Sequence, residues 1–470
     1  MRRVAGVDSS TQSTKVEVRD LESGEVVARG AAPHPATTPP RSEQDPHAWW
    51  TAFETAWAAV GSPTIEAISV AGQQHGMVVL DEARGVVRPA KLWNDTETAP
   101  DAGWLIKQLP GGAADWANAV GSVPVAALTV SKLSWLHRSE PENWEKVAHI
   151  VLPHDWMTLR LTGELTTDRG DASGTGYWSP LTGEYRSDVL AIIDKDRDWS
   201  GVLPRVAAAD EVVGRWNAAK VACGTGDNMA AALGLGLQPG IAVLSLGTSG
   251  TAYAVSDRPT ADPSGAVAGF ADASGRYLPL ACTLNATKVT DAIARLLGVD
   301  HTEFHRLALS ASSGAGGVTM LPYFDGERTP NLPKSTGLLA GLRSDVSREQ
   351  LARAAVEGVV CGLLDALDAL AAQIPLTAVR LVGGGARGAA YRHVVAELCD
   401  LPVSLADADE AVATGACVQA AAVALGVSHA EVAQRWGLGA HTPLESSTGD
   451  AAGVRARYAE LRSATHPSTA

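Results

Sequence analysis

The sequence predicts an α/β protein of two domains, and three observations carry that prediction. Strand-like and helix-like apolar runs alternate along the chain. The chain has 470 residues, whereas single hydrophobic cores stop growing beyond about 250–300 residues. Two segments, 4–20 and 241–257, share one design: an apolar strand, a turn of small hydroxylated residues, and a β-prone strand. Such turns arise by chance in single segments, but the pair at matching places favours a duplicated folding unit.

Local patterns predict the elements of the first half. The hairpin VAGVDSSTQSTKVEVRD alternates apolar and polar residues around a tight turn. Residues 64–72 predict a strand that runs into GQQHG, and residues 147–153 predict a strand that ends at HDW. The string DPHAWW is typical of a helix start, with Asp45 as N-cap and Pro46 at the first helical position.

The second half is predicted in the same way. Residues 351–373 carry apolar side chains at helical spacing and predict a largely buried helix. Residues 379–385 predict a strand that runs into glycines, and a helix over 389–398 should follow.

The domain boundary is expected near residues 230–240, where GLQPG at 236–240 is a candidate breakpoint because Gly and Pro interrupt regular structure. We therefore assign residues 1–232 to an N-terminal domain and residues 233–470 to a C-terminal domain. The final residues, HPSTA, are expected to form a frayed tail.

Charge and composition disfavour several classes of function. The chain has 38 Lys and Arg against 52 Asp and Glu, a net charge of −14, which argues against a general nucleic-acid binder. No uninterrupted apolar run reaches about 18 residues, the length of a membrane span. Asp8 interrupts the first apolar run before it reaches the length of a signal-peptide core. An odd number of scattered cysteines without a CxxC pair indicates a reduced, cytoplasmic location. The cysteines are Cys223, Cys282, Cys361, Cys399 and Cys417.

The two hydroxyl-rich turns are candidate phosphate sites. Successive backbone N–H groups and hydroxyls in such turns bind phosphate oxygens without net positive charge. In the first turn Asp8 ends the strand, and an acid beside a phosphate requires a cation. Mg²⁺ is the ion that usually joins carboxylates, waters and phosphates. The alternative is that Asp8 only opens a turn, and from this residue alone the two interpretations are even.

A glycine-rich stretch, LVGGGARG at 381–388, lies between a predicted strand and a predicted helix. Glycines there would allow a nucleotide to approach the backbone closely. The string matches neither the Rossmann nor the P-loop fingerprint. Many strand–helix turns are glycine-rich, so the stretch alone is a weak signal.

Polar and aromatic groups cluster in the first half, as a sugar site requires. Amides, imidazoles and carboxylates read sugar hydroxyls, and indole rings offer flat apolar faces. The chain has 13 Trp against 4 Phe, which fits sugar contact. For each residue the alternative is a structural histidine or acid, or a core tryptophan. The candidates are Trp49, Trp50, Gln74, His75, Trp93, Asn94, Asp95 and Asp171.

One acid stands alone in a stretch of small and apolar residues, VACGTGDNMAAALG. This is Asp227, with Asn228 beside it. One interpretation is a structural acid that caps a helix starting near Met229. The other is a functional carboxylate, and the chemistry of the residues alone leaves the two comparable.

Taken together and in order, the strings of this chain resemble the FGGY family of carbohydrate kinases. The resemblance runs from about residue 4 to about residue 425. GTGDN, SLGTSGT and GGGAR are the strings typical of the family, while EQDP..WW, GQ.HG, WND and GERTP favour the members that act on D-xylulose. The full set is VDSSTQSTK, EQDPHAWW, AGQQHG, LWND, LPHDW…LTGE, GTGDN, SLGTSGT, LPYFDGERTP and LVGGGAR.

The resemblance implies a two-domain ribonuclease H-like, actin-like ATPase fold with a cleft between the domains. It implies transfer of phosphate from ATP to D-xylulose, with Asp227 as general base and Asp8 helping to hold Mg²⁺ and the phosphates. The implied sugar contacts are Gln74, His75, Asp227 and Asn228, to which the polar candidates Trp93, Asp95 and Asp171 are added. The implied nucleotide contacts are Thr11, Gln12, Lys15, Gly247, Thr248, Gly384 and Gly385, with Asn285 as a weaker candidate.

One departure from the family's pattern bears on the substrate. Many members that act on D-xylulose carry GQMHG, and this chain has Gln74 in place of the Met. The alternatives are therefore another family member acting on ribulose, glycerol or gluconate, and, more remotely, an actin-like ATPase of assembly. The expected partners are a sugar and ATP, with no nucleic acid and no membrane, and a homodimer is the candidate assembly.

Overall fold

Two seven-stranded β-sheets organise the chain in a computed structural model, which describes residues 2–446 and 448–467. The predicted tail at 466–470 therefore lies in part outside the described residues. The strands are β1 Arg3–Ser9, β2 Ser13–Asp20, β3 Val26–Pro33, β4 Glu43–Gln44, β5 Ala67–Gly72, β6 Val78–Leu80, β7 Ala90–Lys91, β8 His149–Val151, β9 Thr166–Thr167, β10 Trp178–Ser179, β11 Glu184–Tyr185, β12 Arg205–Val206, β13 Val212–Trp216, β14 Ala219–Ala222, β15 Thr225–Gly226, β16 Ile241–Leu246, β17 Gly250–Ala254, β18 Ala268–Ala271, β19 Tyr277–Thr283, β20 Thr319–Leu321, β21 Leu338–Ala340, β22 Ala378–Val382, β23 Val403–Ala406 and β24 His441–Pro443.

Helices alternate with these strands, as the α/β class requires. Two short 3₁₀ turns, Ala315–Gly317 and Gly384–Arg387, complete the set. The α-helices are α1 Pro46–Ala59, α2 Ala99–Ile106, α3 Ala113–Val120, α4 Thr129–Ser139, α5 Pro141–Trp144, α6 Pro153–Thr162, α7 Arg169–Ser173, α8 Ser187–Ile193, α9 Asp227–Gly234, α10 Thr287–Leu297, α11 His301–Ser310, α12 Arg348–Ala371, α13 Ala389–Leu398, α14 Ala411–Leu425, α15 His429–Arg435 and α16 Ala451–Thr465.

The chain divides into two units, each assembled from three segments. Unit 1 comprises Met1–Leu237, Val255–Leu278 and Ala408–Ala440. Unit 2 comprises Gln238–Ala254, Pro279–Asp407 and His441–Ala470. The domain boundary that we placed after residue 232 stays a prediction.

The main sheets of the two units repeat one strand order. In unit 1 the order β3-β2-β1-β5-β14-β13 contains an antiparallel meander, two parallel neighbours and an antiparallel edge. In unit 2 the order β19-β17-β16-β22-β23-β24 has the same sequence of antiparallel and parallel pairings. The two hairpins predicted from sequence, β1–β2 and β16–β17, occupy matching places in the two sheets.

The core of unit 1 covers both faces of its sheet. On one face, α1 and α6 contribute Trp49, Phe53 and Trp156 to an apolar cluster with the strands. On the other face, α14 contributes Val418 and neighbouring alanines against the start of β1. Burial on both faces explains why β1 and β5 read as nearly continuous apolar runs.

In unit 2 the predicted buried helix is confirmed as α12. Ser347 caps it in a capping box with Gln350, and most of its residues from Ala352 to Leu370 are buried. The helix predicted over 389–398 is also confirmed, as α13, with those bounds.

Other starts and ends match or differ for identifiable reasons. Asp45 accepts a hydrogen bond from His47 N at the start of α1, as predicted. The strand predicted over 147–153 ends earlier, at Val151, because Pro153 takes the first position of α6. The glycines after β22 form a 3₁₀ turn rather than strand, because Gly383 has φ of 90°.

Within the described residues, no single helix has both the length and the apolar composition that crossing a membrane requires. The bent pair α14 and α15 satisfies that test only jointly. Most of α14 is buried in the core of unit 1.

Candidate active site

The candidate site of unit 1 lies where three parallel strands end side by side. Asp8 of β1 is paired with Ala71 of β5, and Thr225 of β15 is paired with the same Ala71 from the other side. The carboxyl ends of parallel strands are where open α/β sheets bind ligands. The register thus brings Asp8, the loop after Gly72, and Asp227 together, although they lie far apart in sequence.

Asp227 is the first residue of α9, and the N-cap is Gly226, which has no side chain to cap the helix. The interpretation of Asp227 as a capping acid is therefore wrong. Its Oδ1 instead accepts hydrogen bonds from Asn228, from N at 2.8 Å and from Nδ2 at 2.9 Å. Both of these hydrogen bonds go to Oδ1 and neither to Oδ2.

The surroundings of Asp227 disfavour its charge. Burial raises the pKa of its carboxyl to about 7, and the carboxylates of Asp8 and Asp171 add to the rise. The hydrogen bonds from Asn228 act in the opposite direction. Asp227 is therefore a carboxyl whose proton is exchanged near neutral pH, as a general base requires.

The GQQHG loop fixes two further candidates beside Asp227. Gln74 accepts a hydrogen bond from Asn228 Nδ2 at 2.7 Å, and its Nε2 is buried without a hydrogen-bond partner among the described residues. His75 adopts φ of 65°, a left-handed conformation that is uncommon outside glycine. Its ring packs against Phe270 at 5.3 Å between centroids. Such strain is found where surrounding structure holds a functional side chain in place.

Glycines on the neighbouring elements make room for these side chains. A Cβ at Gly226 would lie 2.6 Å from Gln74 Cγ. A Cβ at Gly224, where φ is 78°, would lie 2.7 Å from His154 Cδ2. The glycines of the stretch around Asp227 are therefore explained by close side-chain packing as well as by backbone conformation.

Asp171 lies in a buried cluster of acids around one histidine. Its Oδ2 is 2.8 Å from His154 Nδ1, while its Oδ1 is buried with no hydrogen-bond partner among the described residues. Asp155 and Asp168 complete the cluster, at 3.1 Å and 3.7 Å from His154 Nε2. Of these four residues, only Asp171 was a candidate from the sequence.

Thr11 joins three of the sequence strings at the first phosphate turn. Its hydroxyl accepts a hydrogen bond from Trp93 Nε1 at 2.8 Å and donates one to Gln73 Oε1 at 3.2 Å. Its carbonyl oxygen accepts a hydrogen bond from Gln44 Nε2 at 3.0 Å. EQDP, LWND and GQQHG therefore meet at one residue of the hairpin.

Asp95 has a different environment from that expected of a direct sugar contact. It is fully buried, and its Oδ2 accepts hydrogen bonds from Ser42 N and Lys91 Nζ, at 2.9 Å and 2.8 Å. Its Oδ1 accepts one from Glu97 N. Lys91 is itself fully buried, with Glu43 and Glu97 also within ion-pair distance. This ion cluster fixes the loop that carries Trp93.

The rest of the first hairpin presents Asp8 and Lys15. Asp8 is buried and accepts a hydrogen bond from Ser10 Oγ. Burial raises the pKa of Asp8 to about 6, and Ser10 and Lys15 lower it. Lys15 Nζ lies 2.6 Å from Glu410 Oε2, so its charge is already paired, and the side chain of Gln12 is exposed.

The candidates of unit 2 gather at the ends of β16 and β22. These strands are parallel neighbours, and Ser245 is paired with Val382. Gly247 and Thr248 follow the first strand, and Gly384 and Gly385 follow the second. Nothing lies within 4 Å of a Cβ placed on Gly384, so its backbone is open to a ligand. The arrangement suits a nucleotide that approaches main chain closely.

Asn285 lies beside this edge, at the start of α10. The next residue, Ala286, donates from N to Thr248 O at 3.2 Å. Asn285 Nδ2 donates to Glu327 Oε2 at 2.9 Å, while its Oδ1 is buried with no hydrogen-bond partner among the described residues. Burial raises the pKa of Glu327, and hydrogen bonds from Asn285 and nearby backbone lower it.

Three residues beside the candidate sites were not predicted from the sequence: Glu327 of GERTP, His154 of LPHDW and Gln73 of GQQHG. Their only signal in the sequence is a polar or ionisable side chain within these strings. The partners Asp171, Asn285 and Thr11 of these residues lie 17, 42 and 62 positions away in sequence, so local pattern does not reveal these contacts.

Comparison with known proteins gives matches over nearly the whole chain. Residues 4–244 match the N-terminal domain, and residues 242–424 the C-terminal domain, of the FGGY family of carbohydrate kinases. The xylulose kinase of Streptomyces coelicolor is 50% identical over 462 residues, covering 96% of this chain and 94% of that protein. The xylulose kinase of Escherichia coli is 35% identical, covering 84% of each.

Solved structures give the same result for the fold. The xylulose kinase from Bifidobacterium adolescentis superposes with a TM-score of 0.87 at 40% identity, covering 98% of this chain and 99% of that one. The glycerol kinase of Plasmodium falciparum reaches a TM-score of 0.87 at 18% identity, over 100% and 99% of the two chains, which is a likeness of fold alone.

Proposed function

The chain belongs to the FGGY family of carbohydrate kinases, and we propose on that premise that it transfers the γ-phosphoryl group of ATP to D-xylulose. The products are D-xylulose 5-phosphate and ADP. The observation that carries the proposal is Asp227, set at the end of a strand and bonded through Asn228 to Gln74. Likeness to xylulose kinases at 50% identity over 462 residues supports D-xylulose as the substrate.

Asp227 acts as the general base. Asn228 holds Oδ1, which leaves Oδ2 to accept a hydrogen bond from the attacking hydroxyl of the sugar. As the bond to phosphorus forms, that hydroxyl loses its proton to Asp227. Phosphoryl transfer depends mainly on positioning and charge neutralisation. The rest of the site supplies these two effects, and the base adds removal of the hydroxyl proton.

Sugar is held by residues around the ends of β5 and β15. Gln74 and Asp171 each keep one buried polar atom without a protein hydrogen-bond partner among the described residues, and sugar hydroxyls supply those partners. His75 and Asn228 line the same strand ends. Trp93 and Asp95 lie on the adjoining loop. Trp93 offers its indole face to the sugar, and Asp95 holds the loop in place through its hydrogen bonds.

Mg²⁺ is proposed at Asp8, which also assists the transfer electrostatically. Oxygen donors suit this ion, and the pKa of Asp8, raised by burial, indicates a carboxylate short of compensating positive charge. When bound, the ion neutralises charge on the transferring phosphate. Thr11, Gln12 and Lys15 place the hairpin that carries Asp8.

The nucleotide is assigned to unit 2, with backbone contacts from the glycines. Gly247 and Thr248 offer the turn after β16, and Gly384 and Gly385 the turn after β22. Asn285 keeps a buried amide oxygen without a hydrogen-bond partner among the described residues, which suits a donor group on the nucleotide.

The test is an assay of ADP release over D-xylulose, D-ribulose, glycerol and gluconate, with and without Mg²⁺. We expect Mg²⁺-dependent ADP release that D-xylulose stimulates most. Asp227→Ala should lower kcat by about a hundredfold or more while ATP still binds. The matched control is Asp210→Ala, an exposed acid of the same unit, which should keep parental rates.

Each alternative has its own outcome in this assay. A larger kcat/KM for another sugar or polyol would assign a different substrate within the family. ADP release that ignores every sugar would indicate an assembly ATPase. Parental turnover by Asp227→Ala would overturn the assignment of the base. The homodimer and the cytoplasmic location stay predictions, which light scattering and cell fractionation would test.

A further inference from the structure

His154 is a fully buried histidine to which the proposed reaction assigns no role. It lies in the first turn of α6. Its Nδ1 is 2.8 Å from Asp171 Oδ2, and its Nε2 is 3.1 Å from Asp155 Oδ1. Asp168 Oδ1 lies 3.7 Å from the same Nε2. One imidazole therefore contacts three carboxylates that burial has removed from water.

The surrounding carboxylates favour the charged form of the ring. Burial lowers the pKa of His154, but the three carboxylates raise it further, to about 9. Buried carboxylates require a nearby positive charge or a proton of their own. The three acids therefore favour an imidazolium at His154 as the cation of this cluster.

The ring is also fixed in position. A Cβ placed on Gly224 would lie 2.7 Å from His154 Cδ2, and a Cβ placed on Gly72 would lie 2.9 Å from His154 Cβ. These two glycines adjoin the ends of β15 and β5, which carry the proposed sugar residues. His154 packs against both strand ends, so its placement is tied to theirs.

Asp171 is the member of the cluster that lies beside a proposed sugar contact, since a Cβ at Gly174 would lie 2.4 Å from His75 Nδ1 and 3.3 Å from Asp171 O. One of its oxygens is taken by His154, and the other, Oδ1, is buried without a hydrogen-bond partner among the described residues. Its charge raises the pKa of Asp227, so the two carboxylates lie in one electrostatic environment. Asp155 accepts from Leu152 N through Oδ2 and turns Oδ1 to His154 Nε2 at 3.1 Å, and Asp168 accepts from Thr225 Oγ1.

We propose that His154 is a positioning residue for sugar binding, whose imidazolium holds Asp171 so that Oδ1 accepts a hydrogen bond from a sugar hydroxyl. The inference rests on the proposed function, because it requires a sugar at this site. His154 does not touch the reacting atoms, and it acts on the sugar through Asp171 alone.

A double-mutant cycle on sugar binding tests the inference. Calorimetric titration without ATP gives Kd for the sugar that the parent protein binds. His154→Gln and Asp171→Asn should each raise Kd about ten- to hundredfold, the range of one charge-assisted hydrogen bond. The double variant should bind no worse than Asp171→Asn, because His154 then has nothing left to position. KM for ATP should stay at the parental value in all three.

The matched control is His429→Gln, which replaces another buried histidine of unit 1 outside the acid cluster. It should leave the sugar Kd unchanged. A further loss on adding His154→Gln to Asp171→Asn would overturn the inference, and so would equal losses for sugar and ATP. Absence of any sugar binding by the parent protein would overturn the proposed function first, and the inference with it.

A measurement on the parent protein covers the case in which His154→Gln does not fold. Nitrogen-15 spectra of histidine-labelled protein distinguish imidazolium from neutral imidazole. We expect one histidine to stay charged at pH 7 and above, and its signals to move when sugar is added. A histidine set that is wholly neutral at pH 8, or charged signals that ignore bound sugar, would overturn the inference.

Discussion

At the scale of single residues, Gln74 distinguishes this site from the pattern of its family. Its amide oxygen is fixed by Asn228, which also holds Asp227. The side chain at this position is therefore part of one hydrogen-bonded chain that leads to the base. A methionine here would have the size but not the polarity, and Asn228 would lose one of its two side-chain acceptors.

We expect Gln74→Met to lower kcat/KM for D-xylulose about three- to tenfold, the effect of losing about one hydrogen bond. The ranking of sugars should also change, because a polar contact becomes apolar. Kinetics over the sugar panel measure both effects, with the exposed Gln108→Met as control. An unchanged ranking of sugars would contradict a role for Gln74 in selectivity.

The second prediction at this scale concerns pH. Burial and two neighbouring carboxylates raise the pKa of Asp227 to about 7, and the general base must be ionised to accept a proton. In the parent protein, kcat/KM for the sugar should therefore rise with pH through about 7 and level off above it. Residual activity of Asp227→Asn should lack this step, and a parental profile that is flat over the same range would contradict the assignment.

At the scale of elements, the first hairpin depends on loops from elsewhere in unit 1. Thr11 joins it to LWND through Trp93 and to GQQHG through Gln73. The hairpin that is proposed to meet phosphate and the loop that is proposed to meet sugar are thus linked by one hydroxyl. Trp93 and Gln73, which belong to strings that favour D-xylulose, therefore also stabilise the hairpin through their hydrogen bonds with Thr11.

Thr11→Val keeps the shape of this side chain and removes its hydroxyl. Trp93 Nε1 then loses its acceptor, and we expect a destabilisation of about 1–3 kcal/mol together with a higher KM for ATP. Thermal unfolding and steady-state kinetics measure the two effects. Thr96→Val, an exposed threonine of a nearby loop, is the control. Parental KM values in Thr11→Val would show that the link has no functional effect.

How far the sequence predicts these elements depends on how local their causes are. Asp45 caps α1, with Pro46 at the first helical position, and Ser347 caps α12 in a capping box with Gln350. Both helix starts are set by residues close in sequence, so local pattern is enough to predict them. The side-chain environment of Asp95 was not predictable, because it depends on Lys91 folding inward and on Ser42 from another segment.

The same limit applies to the candidate site. Asp8 and Asp227 could be named from their strings, but the register that aligns β1, β5 and β15 is set by pairings between residues 63 and 154 positions apart. His154 shows the limit most clearly. Its role in the cluster depends on Asp168 and Asp171 at α7 and on glycines beside β5 and β15, which no local pattern reports.

At the scale of the whole molecule, the buried acids of unit 1 affect stability. The folded-state pKa values of Asp8 and Asp227 are raised to about 6 and about 7, above the ordinary value of 3.8. Between pH 3.8 and pH about 7, the folded protein therefore binds more protons than the unfolded chain. The free energy of unfolding falls as pH rises through that range. Asp8 and Asp227, proposed to serve the reaction, therefore lower the stability of the folded protein when they are ionised.

Asp227→Asn should accordingly raise the thermal midpoint, more at about pH 8 than at about pH 5, while removing activity. At the higher pH the parent carries the full cost of the buried charge, and the amide does not. Each kcal/mol corresponds to about 2–4 °C for a domain of this size. Calorimetry of the parent, Asp227→Asn and the exposed control Asp210→Asn measures the difference. A midpoint that falls more at the higher pH would contradict the sign.

The three-segment composition of unit 1 has a consequence for how the protein is made. Its sheet begins at Arg3, yet α14, which covers one face of β1, lies within Ala408–Ala440. A nascent chain emerging from the ribosome therefore holds the first strand uncovered on that face until about 400 further residues have been translated. Over that interval the chain carries an apolar surface that its own late helix covers in the folded protein.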